Sequence, residues 1–155
     1  MKIGIVVYSW SGNTLSVAEK LKERLAAGGH DVALEQVALA EERKQGAREF
    51  TISGAPDPSS WDAVVFGAAV EAFSLSPVLK EYLGGIAPLD GKKVACLVSQ
   101  QFPYPWMGGN RAIRQMRKLC ESKGGSVAET AVVNWAKSKR EKTMAAAIER
   151  LSAAF

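Results

Sequence analysis

The chain alternates short apolar runs with segments whose apolar residues recur at helical spacing. Residues 3–7 form one continuous apolar run, which is typical of a strand buried on both faces of a parallel sheet. Leu15, Ala18, Leu21 and Leu25 follow at the three- to four-residue spacing of an amphipathic helix. The pattern therefore predicts a strand over residues 2–8 and a helix over residues 13–27.

The same pairing repeats to the end of the chain. Further apolar segments cover residues 31–37, 63–69, 93–99 and 127–133, with predicted helices beginning near 76, 110 and 139. Such alternation favours a parallel sheet covered by helices on both faces. We predict an α/β fold of three layers, with a doubly wound, five-stranded parallel sheet in the order 2-1-3-4-5. A length of 155 residues suits a single domain over 1–155.

Residues 38–60 have the weakest pattern. The charged run at 41–44 suggests a short helix over about 40–49, since a wholly structureless stretch of this length is unusual in a compact domain. Residues 53–60 are rich in Ser, Gly and Pro and predict a loop. Residues 70–75 are predicted to form a loop as well.

The turn between the first strand and the first helix carries the clearest candidate chemistry. Small hydroxyl residues, a glycine and an amide are concentrated in Ser9, Ser11, Gly12, Asn13 and Thr14. A helix N-terminus offers unpaired N–H groups and a favourable dipole for an anion. The turn therefore predicts a cradle for a phosphate. The alternative is that Ser11 or Asn13 only caps the helix.

Two further loops end at the same edge of the predicted sheet. Residues 68–76 begin with small side chains that let backbone approach a flat ligand. Residues 100–110 carry Phe102, Tyr104 and Trp106, separated by Pro103 and Pro105, which stiffen the loop. Aromatic faces can stack on a planar ring, or they can seal the end of the core; we favour stacking for at least one of them.

The segment Ser9-Trp10-Ser11-Gly12-Asn13-Thr14 resembles the phosphate loop of flavodoxins, usually Ser/Thr-x-Thr-Gly-Asn-Thr, with Ser11 in place of a threonine. The resemblance extends over nearly the whole chain and implies a flavodoxin-like fold that binds flavin mononucleotide (FMN). The implied cofactor contacts lie in three loops. They are Ser9, Trp10, Ser11, Gly12, Asn13 and Thr14 in the first, Ala68, Ala69, Val70, Glu71, Ala72 and Phe73 in the second, and Gln100, Phe102, Tyr104, Trp106 and Gly108 in the third.

By position, Tyr104 matches the tyrosine that stacks on the flavin in that family. The second loop departs from the family, because Glu71-Ala72 stands where a Trp-Gly or similar pair is usual. Phe73 or Trp10 could supply the second stacking ring. The chain is also basic where typical flavodoxins are strongly acidic, which makes it resemble a diverged member.

The resemblance implies electron transfer through the bound flavin. The alternative is an FMN-dependent NAD(P)H quinone or nitro-compound oxidoreductase. A flavin-free receiver module would need an acidic pocket, and Tyr8-Ser9 and Ala68-Ala69 offer none. We expect no catalytic side chain and no metal site, because His30 lies far from the loops and Cys96 and Cys120 lack ligand spacing. Both cysteines are predicted to be buried small hydrophobes.

A formal net charge of +4 indicates solubility or an acidic partner rather than nucleic acid. The longest apolar run, residues 63–70, is too short to span a membrane. Because Met1-Lys2-Ile3 enters the first strand directly, we expect no targeting segment. We therefore expect a cytoplasmic monomer or homodimer. Its partner would be a redox protein or a small-molecule electron acceptor.

Overall fold

In the computed structural model, which describes residues 1–44, 47–102, 104 and 106–155, five parallel strands form one sheet. Eight strands are described in all. They are β1 Lys2–Tyr8, β2 Asp31–Gln36, β3 Ala38–Leu39, β4 Ile52–Gly54, β5 Ala63–Glu71, β6 Ser74–Leu75, β7 Lys93–Gln100 and β8 Ser126–Asn134. The α-helices are α1 Asn13–Ala27, α2 Pro77–Gly85, α3 Gly109–Ser122 and α4 Arg140–Ser152.

The parallel strands lie in the order β2-β1-β5-β7-β8, so the predicted order 2-1-3-4-5 is confirmed. The register aligns Tyr8 with Ala68 and Ala69 with Ser99. The carboxyl ends of β1, β5 and β7 therefore meet at one edge of the sheet. From β1 the chain adds β2 on one side of the sheet and then β5, β7 and β8 on the other side. The position between β1 and β5 is therefore a topological switch point, and such a point leaves a crevice outside the strand ends.

The two faces of the sheet carry separate apolar cores. Alternate residues of β1 point to opposite faces: Ile5 packs with α1 and α4, and Val6 packs with α2 and α3. Both side chains are completely buried, as the continuous apolar run predicts. Cys96 and Cys120 are also buried and free, which confirms the prediction for them.

The predicted helix over 40–49 is wrong for the residues that the structure describes; Gln45 and Gly46 lie outside them. Instead β3 and β4 pair as a short antiparallel ladder. Leu39, Phe50 and Ile52 pack against the core on the α2–α3 side. Tertiary packing of these apolar side chains has outweighed a weak helix propensity. The predicted loop 53–60 likewise contains the end of β4 and a 3₁₀ turn at Pro58–Ser60, capped by Asp57.

The predicted loop 70–75 is a tight hairpin. β5 continues to Glu71, and Ala72 and Phe73 form a two-residue turn into β6, with Val70 opposite Leu75 and Glu71 opposite Ser74. Both turn residues have positive φ, 50° and 61°. This turn geometry usually takes Asn-Gly, so Ala-Phe gave no hairpin signal. None of the helices in the described part of the chain has the length and apolar character that a membrane crossing requires.

Candidate functional site

A cleft opens where β1, β5 and β7 end, at the switch point of the sheet. The cleft has a volume of about 150 Å³. Residues from all three predicted loops line it, together with the last residues of the strands. The lining residues are Tyr8, Trp10, Ser11, Asn13, Ala69, Val70, Glu71, Ser99, Gln100 and Gln101. The structure therefore brings together seven of the predicted contacts and adds Tyr8, Ser99 and Gln101.

The first loop forms one end of the cleft and turns into α1 at Gly12. Gly12 has φ 89°, and a Cβ there would meet no other atom within 4 Å, so the loop's outer side is open. The amides of Asn13 and Thr14 begin α1 and have no acceptor among the described residues. Unpaired amides at a helix N-terminus form a suitable site for an anion.

The helix is capped by neither Ser11 nor Asn13. Instead, the amide of Leu15 donates to Ser9 Oγ at 3.1 Å. A hydroxyl that accepts one hydrogen bond still has its own proton to donate. Ser9 can therefore hold the first turn of α1 and donate to a ligand at once, while Ser11 remains exposed on the cleft side.

Thr14 faces the interior. Its hydroxyl lies 2.8 Å from Ser99 Oγ, and the residue is almost fully buried. Gly67 makes room for this contact, because a Cβ at Gly67 would lie 3.3 Å from Thr14 Cγ2 and 3.0 Å from Val7 Cγ1. The side chain of Thr14 thus joins α1 to β7, and only its backbone amide faces the predicted anion site.

Trp10 and Tyr8 give the cleft its aromatic surface. Trp10 is 46% exposed, and its indole Nε1 donates to the backbone oxygen of Arg43 at 2.7 Å. This bond fixes the ring at the mouth of the cleft while leaving much of its surface free. The contact with Arg43 had no signal in the sequence, because the two residues lie 33 positions apart.

The β5–β6 hairpin forms a second wall, and an ion pair holds it. The guanidinium of Arg43 donates from both terminal nitrogens to the two carboxylate oxygens of Glu71, at 2.7 and 3.1 Å. The side chains are 1% and 7% exposed. The hydrogen bond to Glu71 raises the pKa of Arg43 above its ordinary value, outweighing the opposite effect of burial. Arg43 also lies over the rings of Tyr8 and Phe50.

The third loop is fastened to the sheet by Gln100. Its side-chain nitrogen, which has two protons to donate, lies within hydrogen-bond distance of three acceptors: the backbone oxygens of Phe102 and Tyr104 and Asn134 Oδ1. Gly108, with φ 115°, brings the end of this loop against the hairpin, since a Cβ there would lie 2.9 Å from Phe73 Cα. Pro103 and Pro105, on which the predicted stiffening rests, lie outside the described residues.

The other predicted aromatics lie beside the cleft. Phe73 stacks on Phe102 with ring centroids 5.4 Å apart, and Tyr104 stacks on Trp106 at 5.7 Å. All four rings are 44–73% exposed. Stacking of Tyr104 on a flavin therefore stays a prediction. Of the other predicted contacts, Ala68 is buried in the core and Ala72 faces a neighbouring cavity.

No protein-family model matches the chain, and no curated protein matches it. Solved structures do match. The oxidised flavodoxin 2 of Bacillus cereus is 24% identical over 99% of this chain and 97% of its own, with a TM-score of 0.73. The Streptococcus pneumoniae TIGR4 flavodoxin is 18% identical over the full length of both chains, at 0.67. A Lactobacillus acidophilus flavoprotein solved in complex with FMN is 18% identical over 92% of this chain and 97% of its own, at 0.63.

Each of these likenesses spans nearly the whole chain. At this level of identity they establish the fold, which is the flavodoxin-like fold predicted from the sequence.

Proposed function

We propose that the chain binds FMN in the cleft at the ends of β1, β5 and β7 and transfers electrons through the flavin. The observation that carries the proposal is the Ser9–Thr14 turn. It presents unpaired amides of α1, an open glycine at φ 89° and the Ser11 hydroxyl beside the cleft. A helix N-terminus of this kind suits a phosphate.

The donors in this loop are neutral, so many of them must share the charge of a phosphate. The backbone amides of Asn13 and Thr14 and the hydroxyls of Ser9 and Ser11 would hold it. Each hydrogen bond to a charged group contributes roughly 1.5–3 kcal/mol. Several such bonds together would hold a phosphate without a cationic side chain in the loop.

The cleft fits part of a flavin. Its volume of about 150 Å³ is below the ~300–1,000 Å³ of pockets that enclose a drug-sized ligand. The rest of the cofactor would lie against the exposed rings at the rim. Trp10 is the aromatic side chain that already lines the cleft with a large free surface, and the Glu71 hairpin and Gln100 would bound the other sides.

FMN, when bound, would supply the redox chemistry. The chain's own residues would bind its phosphate, orient the ring and limit the access of water. We propose a redox protein or a small-molecule acceptor as the partner. Oxidation of NADH or NADPH by the holoprotein alone would instead support the quinone or nitro-compound reductase.

The proposal is tested by titrating apoprotein with three flavins and following flavin fluorescence. FMN should bind tightest. Riboflavin lacks the phosphate, and FAD extends beyond it, so each should bind at least about a hundredfold more weakly, or about 2.7 kcal/mol. Riboflavin binding within tenfold of FMN would contradict the phosphate role of the Ser9–Thr14 turn. Absence of binding by all three flavins would contradict the proposed function itself.

A further inference from the structure

A second cavity lies on the outer side of the β5–β6 hairpin. It has a volume of about 450 Å³ and is separate from the cleft, although Glu71 lines both. Three cationic side chains face it from different parts of the chain: Arg48 from the segment between β3 and β4, Lys80 from α2 and Arg111 from α3. Side chains distant in sequence thus converge on one cavity.

The positive charge of this cavity is not balanced from within. Glu71 is the acidic residue in its lining, and both oxygens of that carboxylate are bonded to Arg43. Among the described residues, neither Arg48 nor Arg111 has an ion-pair partner. Three like charges around one space repel one another, and an anion there would relieve the repulsion.

One of the three cations is held in place. Lys80 Nζ donates to Ser74 Oγ at 2.9 Å, and Ser74 Oγ donates to Gln115 Oε1 at 3.0 Å. The same Gln115 oxygen accepts the amide of Leu75 at 2.8 Å. This chain of bonds connects the hairpin, α2 and α3, so the ammonium keeps its position before any ligand arrives. Preorganised donors lose less entropy on binding.

We propose that this cavity binds the phosphate group of a small phosphorylated molecule. A phosphomonoester or diphosphate carries two or more negative charges, which matches three cations better than a single carboxylate does. Guanidinium groups also pair with phosphate oxygens in a bidentate manner. The volume of about 450 Å³ lies within the range of small-molecule pockets. The site is independent of the Ser9–Thr14 turn and does not require a flavin.

The test is amide chemical-shift mapping by NMR at low ionic strength, with inorganic pyrophosphate as the probe. The amides of Ser74, Leu75 and Lys80 report on this cavity, and those of Gly12 and Asn13 report on the Ser9–Thr14 turn. The proposal expects saturable shifts in the first group. Shifts confined to the second group, or none, would overturn it without affecting the proposed function.

Two charge-removing variants of α3 test whether pyrophosphate binds in this cavity. Arg111→Gln should weaken pyrophosphate binding at the cavity by at least about tenfold, the loss expected for one charge-assisted contact. Lys118→Gln is the matched control, because it removes one exposed charge from the same helix outside the cavity lining. An equal loss of pyrophosphate affinity in the two variants would show that binding depends on the overall charge of the helix and not on this cavity, and would overturn the proposal.

AMP and adenosine provide a second comparison, since they differ by one phosphate group. AMP should bind the cavity more tightly, and Arg111→Gln should remove most of the difference. Equal binding of the two at the Ser74, Leu75 and Lys80 amides would count against phosphate recognition.

Discussion

Arg43 and Glu71 form a bidentate, almost fully buried ion pair with a shortest distance of 2.7 Å. The pair joins the segment between β3 and β4 to the hairpin that walls the candidate cleft. Since the backbone oxygen of Arg43 also accepts the indole N–H of Trp10, one residue positions two sides of the cleft. The geometry of the site therefore depends on Arg43, a residue outside the three predicted loops.

Removing Arg43 should destabilise the protein strongly. Arg43→Met leaves the Glu71 carboxylate buried without its cation, and such a loss costs about 3–5 kcal/mol. Arg150→Met is the control, because Arg150 pairs with Glu129 at the surface with the side chains 59% and 31% exposed. Its loss should cost about 1 kcal/mol or less. Urea unfolding measures both, and equal losses would contradict the role given to Arg43.

Stability should fall at alkaline pH through Tyr82. Burial raises the pKa of Tyr82 far above its ordinary value, and the charges of Glu35 and Asp57 raise it further. The native state therefore holds this proton more tightly than the unfolded chain does. The stabilisation is fully present below the unfolded pKa of about 10 and is lost as pH rises from there through the folded pKa.

The measurement is the free energy of unfolding of wild type and Tyr82→Phe between pH 8 and 11. Tyr82→Phe should be less stable at pH 8 by about 1 kcal/mol, because the phenol donates to the backbone oxygen of Pro56. The gap should narrow as pH rises. A gap that stays constant for Tyr82→Phe would show that its titration does not contribute.

Trp10 should contribute more to flavin binding than Tyr104. Trp10 lines the cleft and is anchored at its indole nitrogen, whereas Tyr104 stacks on Trp106 outside the lining. An aromatic contact contributes about 0.5–1.5 kcal/mol beyond its buried area. FMN affinity and fluorescence quenching should therefore fall further in Trp10→Ala than in Tyr104→Ala. A loss confined to Tyr104→Ala would favour the stacking role that the flavodoxin resemblance implies.

The hydroxyls of Ser11 and Ser99 should contribute to different properties, the first mainly to FMN binding and the second mainly to stability. Ser11 is exposed at the cleft, so Ser11→Ala should weaken FMN binding by roughly tenfold or more and leave stability unchanged. Ser99 also lines the cleft, but its hydroxyl bonds to buried Thr14, so Ser99→Ala should cost about 1 kcal/mol or more of stability and lower FMN affinity less than Ser11→Ala does. Flavin titration and urea unfolding of both variants separate binding from folding. The reverse pattern would place the ligand on the inner side of the loop.

The native protein should react slowly with thiol reagents. A hydrogen bond with Cys120 and burial both raise the pKa of the Cys96 thiol, so little of the reactive thiolate is present. Both cysteines are inaccessible. Labelling with a chromogenic disulfide should be slow in buffer and rapid for both thiols in denaturant. Fast labelling of a thiol in the folded protein would contradict the buried assignment.

Local pattern determined the layers of this protein and the place of its candidate site. A continuous apolar run such as residues 3–7 is typical of a strand that is buried on both faces, as in a parallel sheet between two layers of helices. The helical spacing of the apolar residues that follow predicts those layers. Parallel strands place their carboxyl ends at one edge. The order of the elements along the sequence therefore assigns the loop Ser9–Thr14 to that edge.

Tertiary structure alone decided how the cleft is built. Glu71 and Arg43 lie 28 positions apart, and no local pattern pairs them. The Ala72-Phe73 turn has unfavourable backbone angles that surrounding contacts hold in place, including the close approach of Gly108 to Phe73. The hydrogen bond between the Thr14 and Ser99 hydroxyls depends on how α1 packs against β7. The spacing of apolar residues along the sequence shows which face of a helix or strand is buried. The contacts that build the cleft depend instead on which helices, strands and loops pack against each other.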